Sequence, residues 1–179
     1  MFAKNQPLFK LELIPPSRLH VLDNMLQLYA HELNGYFNYA ITLDNNGRYR
    51  IKSAEKCLEN GWGYFIVVRH EYAGFILLNK KTKSHGGTFI NEFFILPRYR
   101  KGLFCQNVIS ALLSGLSGIV EFRVLKKNKR VLTLFDTLAR RYTKSFIKMD
   151  EHENGSEHTR FIFDTADVVH DISEAKHET

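Results

Sequence analysis

Two apolar runs, Tyr64–Arg69 (YFIVVR) and Ala73–Asn79 (AGFILLN), lie only three residues apart in the middle of the chain. Runs this short, rich in β-branched and aromatic residues, suit extended strands. A connection of His70-Glu71-Tyr72 leaves no room for anything but a hairpin. A third run, Thr88–Leu96 (TFINEFFIL), follows the basic, glycine-ended loop Lys80–Gly87 and stops at Pro97. Three consecutive strands commit the chain to a sheet, and whatever flanks them must cover its faces.

The flanking segments are mostly helical in period. Leu22, Met25, Leu26, Tyr29 and Leu33 make one apolar helical face, behind a strand at Leu8–Ile14, Pro15-Pro16 and a capping Ser17. Residues 36–63 are rich in Tyr, Asn and Gly, with a short helix near Ile51–Leu58. After Arg98-Tyr-Arg-Lys-Gly, the residues Val108, Ile109, Leu112, Leu113 and Leu116 mark a helix closed by Gly115 and Gly118. Ile119–Leu125 (IVEFRVL) reads as a strand, and Val131, Leu134, Phe135, Leu138 and Tyr142 as another helix. A last hairpin, Ser145–Met149 with Thr159–Phe163, turns around Asn154-Gly155. The expectation is an α/β chain of the α+β kind, with a mixed sheet, not a doubly wound one. One domain spans 1–164, and 165–179 form a polar, mobile tail.

Charge and composition narrow the function classes. The 25 Lys and Arg against 19 Asp and Glu give a net charge of +6, which points to an anionic partner. No nucleic-acid motif accompanies the charge, so nucleic acid is not the expected partner. No apolar run approaches the roughly 20 residues of a membrane helix. The residues Met1–Pro7 lack the order of a signal peptide, so the expected location is the cytoplasm. The two cysteines and eight scattered histidines show no metal-ligand spacing, and no metal is expected.

Residues 89–138 carry a resemblance. Glu92-Phe-Phe-Ile-Leu-Pro-Arg-Tyr-Arg-Lys-Gly-Leu-Phe-Cys-Gln106 resembles the strand, pyrophosphate loop and helix of the GNAT acetyltransferase superfamily, whose loop pattern is R-x-x-G-x-G/A. Val120-Glu-Phe-Arg-Val-Leu-Lys-Lys-Asn128 resembles its fifth strand and the Asn before its last long helix. Gln27-Leu-Tyr, Glu92-Phe-Phe, Tyr99-Arg-Lys-Gly and Leu134-Phe135 are similar to a bacterial subgroup known only as predicted acetyltransferases. The resemblance implies a twisted, mostly antiparallel sheet of about six to seven strands flanked by about four helices.

It also implies an acetyl group moved directly from acetyl-CoA to an amine acceptor. Cofactor contacts then fall on the strand at Phe94, Ile95 and Leu96 and on the loop Arg100, Lys101, Gly102, Leu103, Phe104, Cys105 and Gln106. Amides at a helix start suit a diphosphate, and Arg100, with Arg98 as a second candidate, would add charge. A strand amide near Ile95 would polarise the acyl carbonyl. Asn128 would orient the cofactor arm or cap a helix, and Lys126–Arg130 could meet a phosphate.

For the proton on the acceptor, Glu121 and Glu92 are the candidate bases, since each sits in a strongly apolar strand. For Glu121, a structural pairing with Arg123 is the other reading. Tyr29, Tyr36, Phe37, Tyr39 and Trp62 would line an acceptor pocket. Leu103 and Cys105 stand at the two glycine positions of the loop pattern, and Phe135 where the family often has a proton-donating Tyr. Those departures support a second reading, a catalytically inactive GNAT-fold binding or regulatory protein. Oligomeric state is left open, a dimer included.

Overall fold

The computed structural model describes residues 9–37, 40–80, 86–143, 145–153 and 155–165, with backbone only at 141 and 142. The elements run β1 (Phe9–Leu13), α1 (Leu19–Asn34), α2 (Ala54–Leu58), β2 (Gly61–Val68), β3 (Glu71–Asn79), β4 (Thr88–Ile95), α3 (Phe104–Ser114), β5 (Ile119–Leu125), α4 (Lys129–Tyr142), β6 (Ile147–Glu153) and β7 (Ser156–Asp164). They build one seven-stranded sheet in the order β1-β2-β3-β4-β5-β7-β6. Every neighbouring pair is antiparallel except β4–β5, which α3 connects as a crossover.

The two faces of the sheet have separate cores. On one, Ile76, Leu78, Val120, Phe122 and Phe161 pack against Val108, Ile109, Leu112 and Leu113 of α3 and Phe135, Leu138 and Ala139 of α4. On the other, Phe65, Phe75, Leu77 and Phe94 pack against Leu22, Met25 and Leu26 of α1 and Ala54 of α2. The period-2 alternation of the strands sends neighbouring side chains to opposite faces.

The middle hairpin is tighter than its sequence suggests. Its turn is Arg69-His70, both left-handed at φ 49° and 69°, so Glu71 and Tyr72 join β3. The last hairpin is longer than expected: the charged stretch Asp150–Glu153 stays in strand because β7 pairs with it throughout, and Gly155 takes φ 72° at the turn. Ser17 does not cap α1. Pro16 starts a short 3-10 turn, in which the Arg18 amide donates to Pro15 O at 2.9 Å, and Arg18 becomes the cap residue.

Two sites hold α1 to the next loop. The Gln27 side chain accepts from the Tyr49 amide at 2.7 Å and donates to Tyr49 O at 3.3 Å, while Asp23 accepts from the Ala54 amide at 2.7 Å. Leu8, Tyr39, the Tyr142 side chain, most of the Lys80–Gly87 loop and the tail beyond 165 lie outside the described residues. No helix among the described residues is long and apolar enough to cross a membrane.

Candidate functional site

The parallel pair β4–β5 is zipped over three residue pairs only, Thr88↔Val120, Phe89↔Glu121 and Ile90↔Phe122. Beyond Ile90 a bulge at Asn91 breaks the β3–β4 register (Leu78↔Ile90, then Leu77↔Glu92), and β4 turns away from β5 while remaining paired to β3. The strands part into a V, and a cleft of about 460 Å³ opens there. That volume is within the range of small-molecule sites.

The splay leaves backbone donors in the cleft. The Leu96 amide donates to Ala73 O at 2.8 Å, so alternation turns the Phe94 amide toward β3 as well. The amides of Phe93 and Ile95 then face the other way, into the V. At the start of α3, the amides of Phe104 and Asn107 bond to Lys101 O and Leu103 O, at 3.3 and 2.9 Å. The amides of Cys105 and Gln106 are left outside the helical ladder. Gly102 precedes them at φ 58° with open space where a Cβ would stand. The one residue of the loop that must be left-handed is therefore a glycine.

Glu92 stands on the α1 side of the V. Tyr29 of α1 donates to its Oε2 at 2.5 Å. Burial pushes the Glu92 carboxyl up to about 7, against the opposing pull of the Tyr29 hydrogen bond and the positive charges of Arg123 and Lys52. The Tyr29 hydroxyl is raised well above its ordinary value, by burial and by the Glu92 charge, and so keeps its proton. Tyr36, Phe37 and Glu32 line the same side, and Arg123 lines it from β5.

Among solved structures the chain resembles the spermidine N-acetyltransferase of Vibrio cholerae, solved with CoA and spermine, with 11% identity and a TM-score of 0.61 over 89% of this chain and 96% of that one. An acetyltransferase of Thermus thermophilus gives 11% identity and a TM-score of 0.61 over 87% and 96%. A GNAT-family acetyltransferase of Bacillus cereus gives 11% and 0.59 over 88% and 97%. The chain has the GNAT fold. No protein-family model and no curated protein matches it in sequence.

Within this GNAT fold, the cleft brings together Glu92, Phe94, Ile95, Arg100, Gly102, Cys105, Gln106 and Asn128 of the residues singled out from the sequence. It does not bring in Glu121. That residue pairs with Phe89 where β4 and β5 are still zipped, is 1% exposed, and faces Arg160 at 4.0 Å, while Arg123 turns instead to Glu153. Leu96, Lys101, Leu103 and Phe104 also lie off the cleft lining. Phe104 packs edge-on against Phe9 in the core, and Leu103 is 48% exposed, so its side chain does not crowd the loop's inner side. Cys105 does line the cleft, and burial raises its thiol, so it stays protonated.

Arg100 has partners other than a phosphate. Its guanidinium grips both carboxylate oxygens of Glu32, at 2.8 and 2.5 Å, and its Nε donates to Ile95 O at 2.5 Å. Arg98 turns away to Glu71 and Tyr99. Asn128 caps α4, accepting from the Val131 amide at 3.3 Å, and Lys126 bonds to Asp150 at 2.7 Å. Arg130 lines the cleft beside Gln106 and donates to Arg100 O at 3.0 Å. Phe135 packs on Phe122 with centroids 4.0 Å apart, and Trp62 joins the α3/α4 core, not the cleft. Glu32, Arg123, Ser156 and His158 carry no sequence signal as site residues, and of the basic run Lys126–Arg130 only Asn128 and Arg130 reach the cleft. A period-2 count from Glu92 and Arg123 suggests which face they share, but only the splay shows that Arg123 lies past it and Glu121 short of it.

Proposed function

We propose that residues 1–164 act as one acyltransferase domain, an acetyl-CoA-dependent N-acetyltransferase of the cytoplasm, in which Glu92 takes the proton of the amine acceptor. The observation that carries this reading is Glu92 itself: a carboxyl raised to about 7 at a strand split into which the β3–β4 pairing turns the Phe93 and Ile95 amides. A base with a pKa near neutrality is half ionised at working pH and accepts a proton readily. The V. cholerae neighbour, solved with CoA and spermine, supports the choice of donor and of an amine as acceptor.

Acetyl-CoA supplies an activated thioester, whose acetyl carbon forms the new amide as its bond to sulfur breaks. Glu92 accepts the ammonium proton first, because only the neutral amine has a lone pair to attack with. The Phe93 and Ile95 amides are positioned to donate to the carbonyl oxygen as it gains negative charge. The amides of Cys105 and Gln106, with Gly102 before them and Arg130 beside them, suit the diphosphate. The second amine proton is lost to solvent as the amide forms, and the departing sulfur takes one from solvent in this reading, since Phe135 has none to give.

The test joins calorimetric titration of acetyl-CoA with an assay of CoA release over a panel of amines. Micromolar binding is expected. Glu92→Gln is expected to lower kcat roughly 10²- to 10⁴-fold while acetyl-CoA affinity holds. No binding at millimolar acetyl-CoA overturns the reading. The inactive binding protein, with Leu103, Cys105 and Phe135 as traces of lost turnover, would then stand.

A further inference from the structure

Past the point where β5 leaves β4, the sheet face on the α1 side belongs to β5, β7 and β6. Arg123 of β5 lies directly opposite Arg160 of β7 in register, and both side chains share that face. Two arginines side by side repel unless anions neutralise them. Glu153 meets Arg123, Glu151 meets Arg160 at 2.8 Å, and Glu121 lies 4.0 Å from Arg160. The carboxylates of this wall are thus each set against a guanidinium.

What is left over among the described residues is hydrogen-bonding capacity. Ser156 is 4% exposed and lines the cleft, and its Oγ has no hydrogen-bond partner among them. Arg160 is 8% exposed, and its Nε, which can only donate, has none either. A buried donor without a partner is costly; Arg160 lies off the cleft lining, so the one that a ligand oxygen in the cleft can relieve is the Ser156 hydroxyl. Arg123 and His158 line the cleft alongside Ser156, and burial together with the Arg123 charge lowers the His158 ring below its ordinary value, keeping it neutral.

Across the V from this wall stands Glu92, near enough to Arg123 for the guanidinium to stabilise its ionised form. The cleft therefore has a carboxylate on the β4 side, and both an arginine and an unpartnered hydroxyl in its lining on the β5–β7 side. We infer that the acceptor is an amino acid, its ammonium group held toward Glu92 and its carboxylate received by Arg123 and the Ser156 hydroxyl. An α-amino acid carries both charges on one carbon, and this pairing of walls reads both at once. A polyamine brings only positive charge and would have to lie against Arg123. Glu153, at the end of β6 and with its side chain 35% exposed, occupies the place of the ligand's carboxylate and gives it up on binding. A bidentate arginine–carboxylate contact is strong and directional, which makes Arg123 a specificity-determining residue.

This inference rests on the acetyltransferase reading, and the experiment separates the two. Acetyl transfer is measured for the common amino acids and for matched amines lacking the carboxylate: tyramine beside tyrosine, agmatine beside arginine, cadaverine beside lysine, and spermidine. The ratio of kcat/KM, amino acid over matched amine, is the readout, because a general loss of folding cancels from it. At least one amino acid is expected to exceed its matched amine. Arg123→Gln is expected to cut that ratio roughly 10- to 100-fold, with partial recovery in Arg123→Lys. Spermidine or the decarboxylated amines used as well as the amino acids, or a ratio unmoved by Arg123→Gln, overturns the inference and leaves the acetyltransferase reading intact. If acetyl-CoA binds but no amine is acetylated, calorimetric titration of the same amino acids into the CoA complex decides, and absence of binding overturns it. No acetyl-CoA binding at all overturns both.

Discussion

Glu92 is expensive to keep ionised where it stands, and the Tyr29 hydroxyl offsets part of that expense. Desolvation raises its carboxyl to about 7, and the Tyr29 hydrogen bond is the largest influence in the opposite direction. Two consequences are measurable. The rate kcat/KM should rise with pH through an inflection near 7 as Glu92 loses its proton, and Tyr29→Phe should move that inflection to higher pH. Stability should run the other way. A carboxyl whose pKa is raised by folding favours the folded state below its unfolded value of 4.5 and loses that advantage as pH rises through about 7. The Tm of Glu92→Gln, measured against wild type by calorimetry, should therefore gain on it between pH 4.5 and 8. In sequence, Glu92 and Glu121 are near-equivalents, each a lone carboxylate in an apolar strand. Nothing in their local patterns shows that one lies below the strand split, against Arg160, and the other above it, against Tyr29.

At the scale of elements, the ion pair between Arg100 and Glu32 joins the loop before α3 to the end of α1, with side chains only 16% and 31% exposed. The R-x-x-G-x-G/A pattern suggests a phosphate-gripping arginine, but in the fold this guanidinium is taken up by Glu32 and by Ile95 O. A double-mutant cycle of Arg100→Ala and Glu32→Ala, followed by urea unfolding, should give a coupling energy of about 1 to 2 kcal/mol. The first residue of α1 is set by a proline turn and the last hairpin's length by its pairing with β7, which is why Ser17 and the charged Asp150–Glu153 were misleading locally. The central elements follow their sequences closely, because alternation and helical period there agree with burial on both faces.

For the molecule as a whole, the cleft exists because two halves of one sheet diverge, so a ligand that fills it ties those halves together. Acetyl-CoA at about 100 times its dissociation constant should stabilise the fold by about 2.7 kcal/mol. For a chain of this length that corresponds to a rise in Tm of about 5 to 11 °C by scanning calorimetry. The sequence by itself determined the order of strands and helices, the mixed sheet, and which face of each helix is apolar. All of these follow from periodicities that a few neighbouring residues express. Only the tertiary structure decided where β4 and β5 part, and with it which carboxylate and which arginine meet in the cleft. A bulge at Asn91 and three paired rows between β4 and β5 set that point. Pairing between strands separated by a crossover helix depends on residues far apart in the chain, and no local pattern records it.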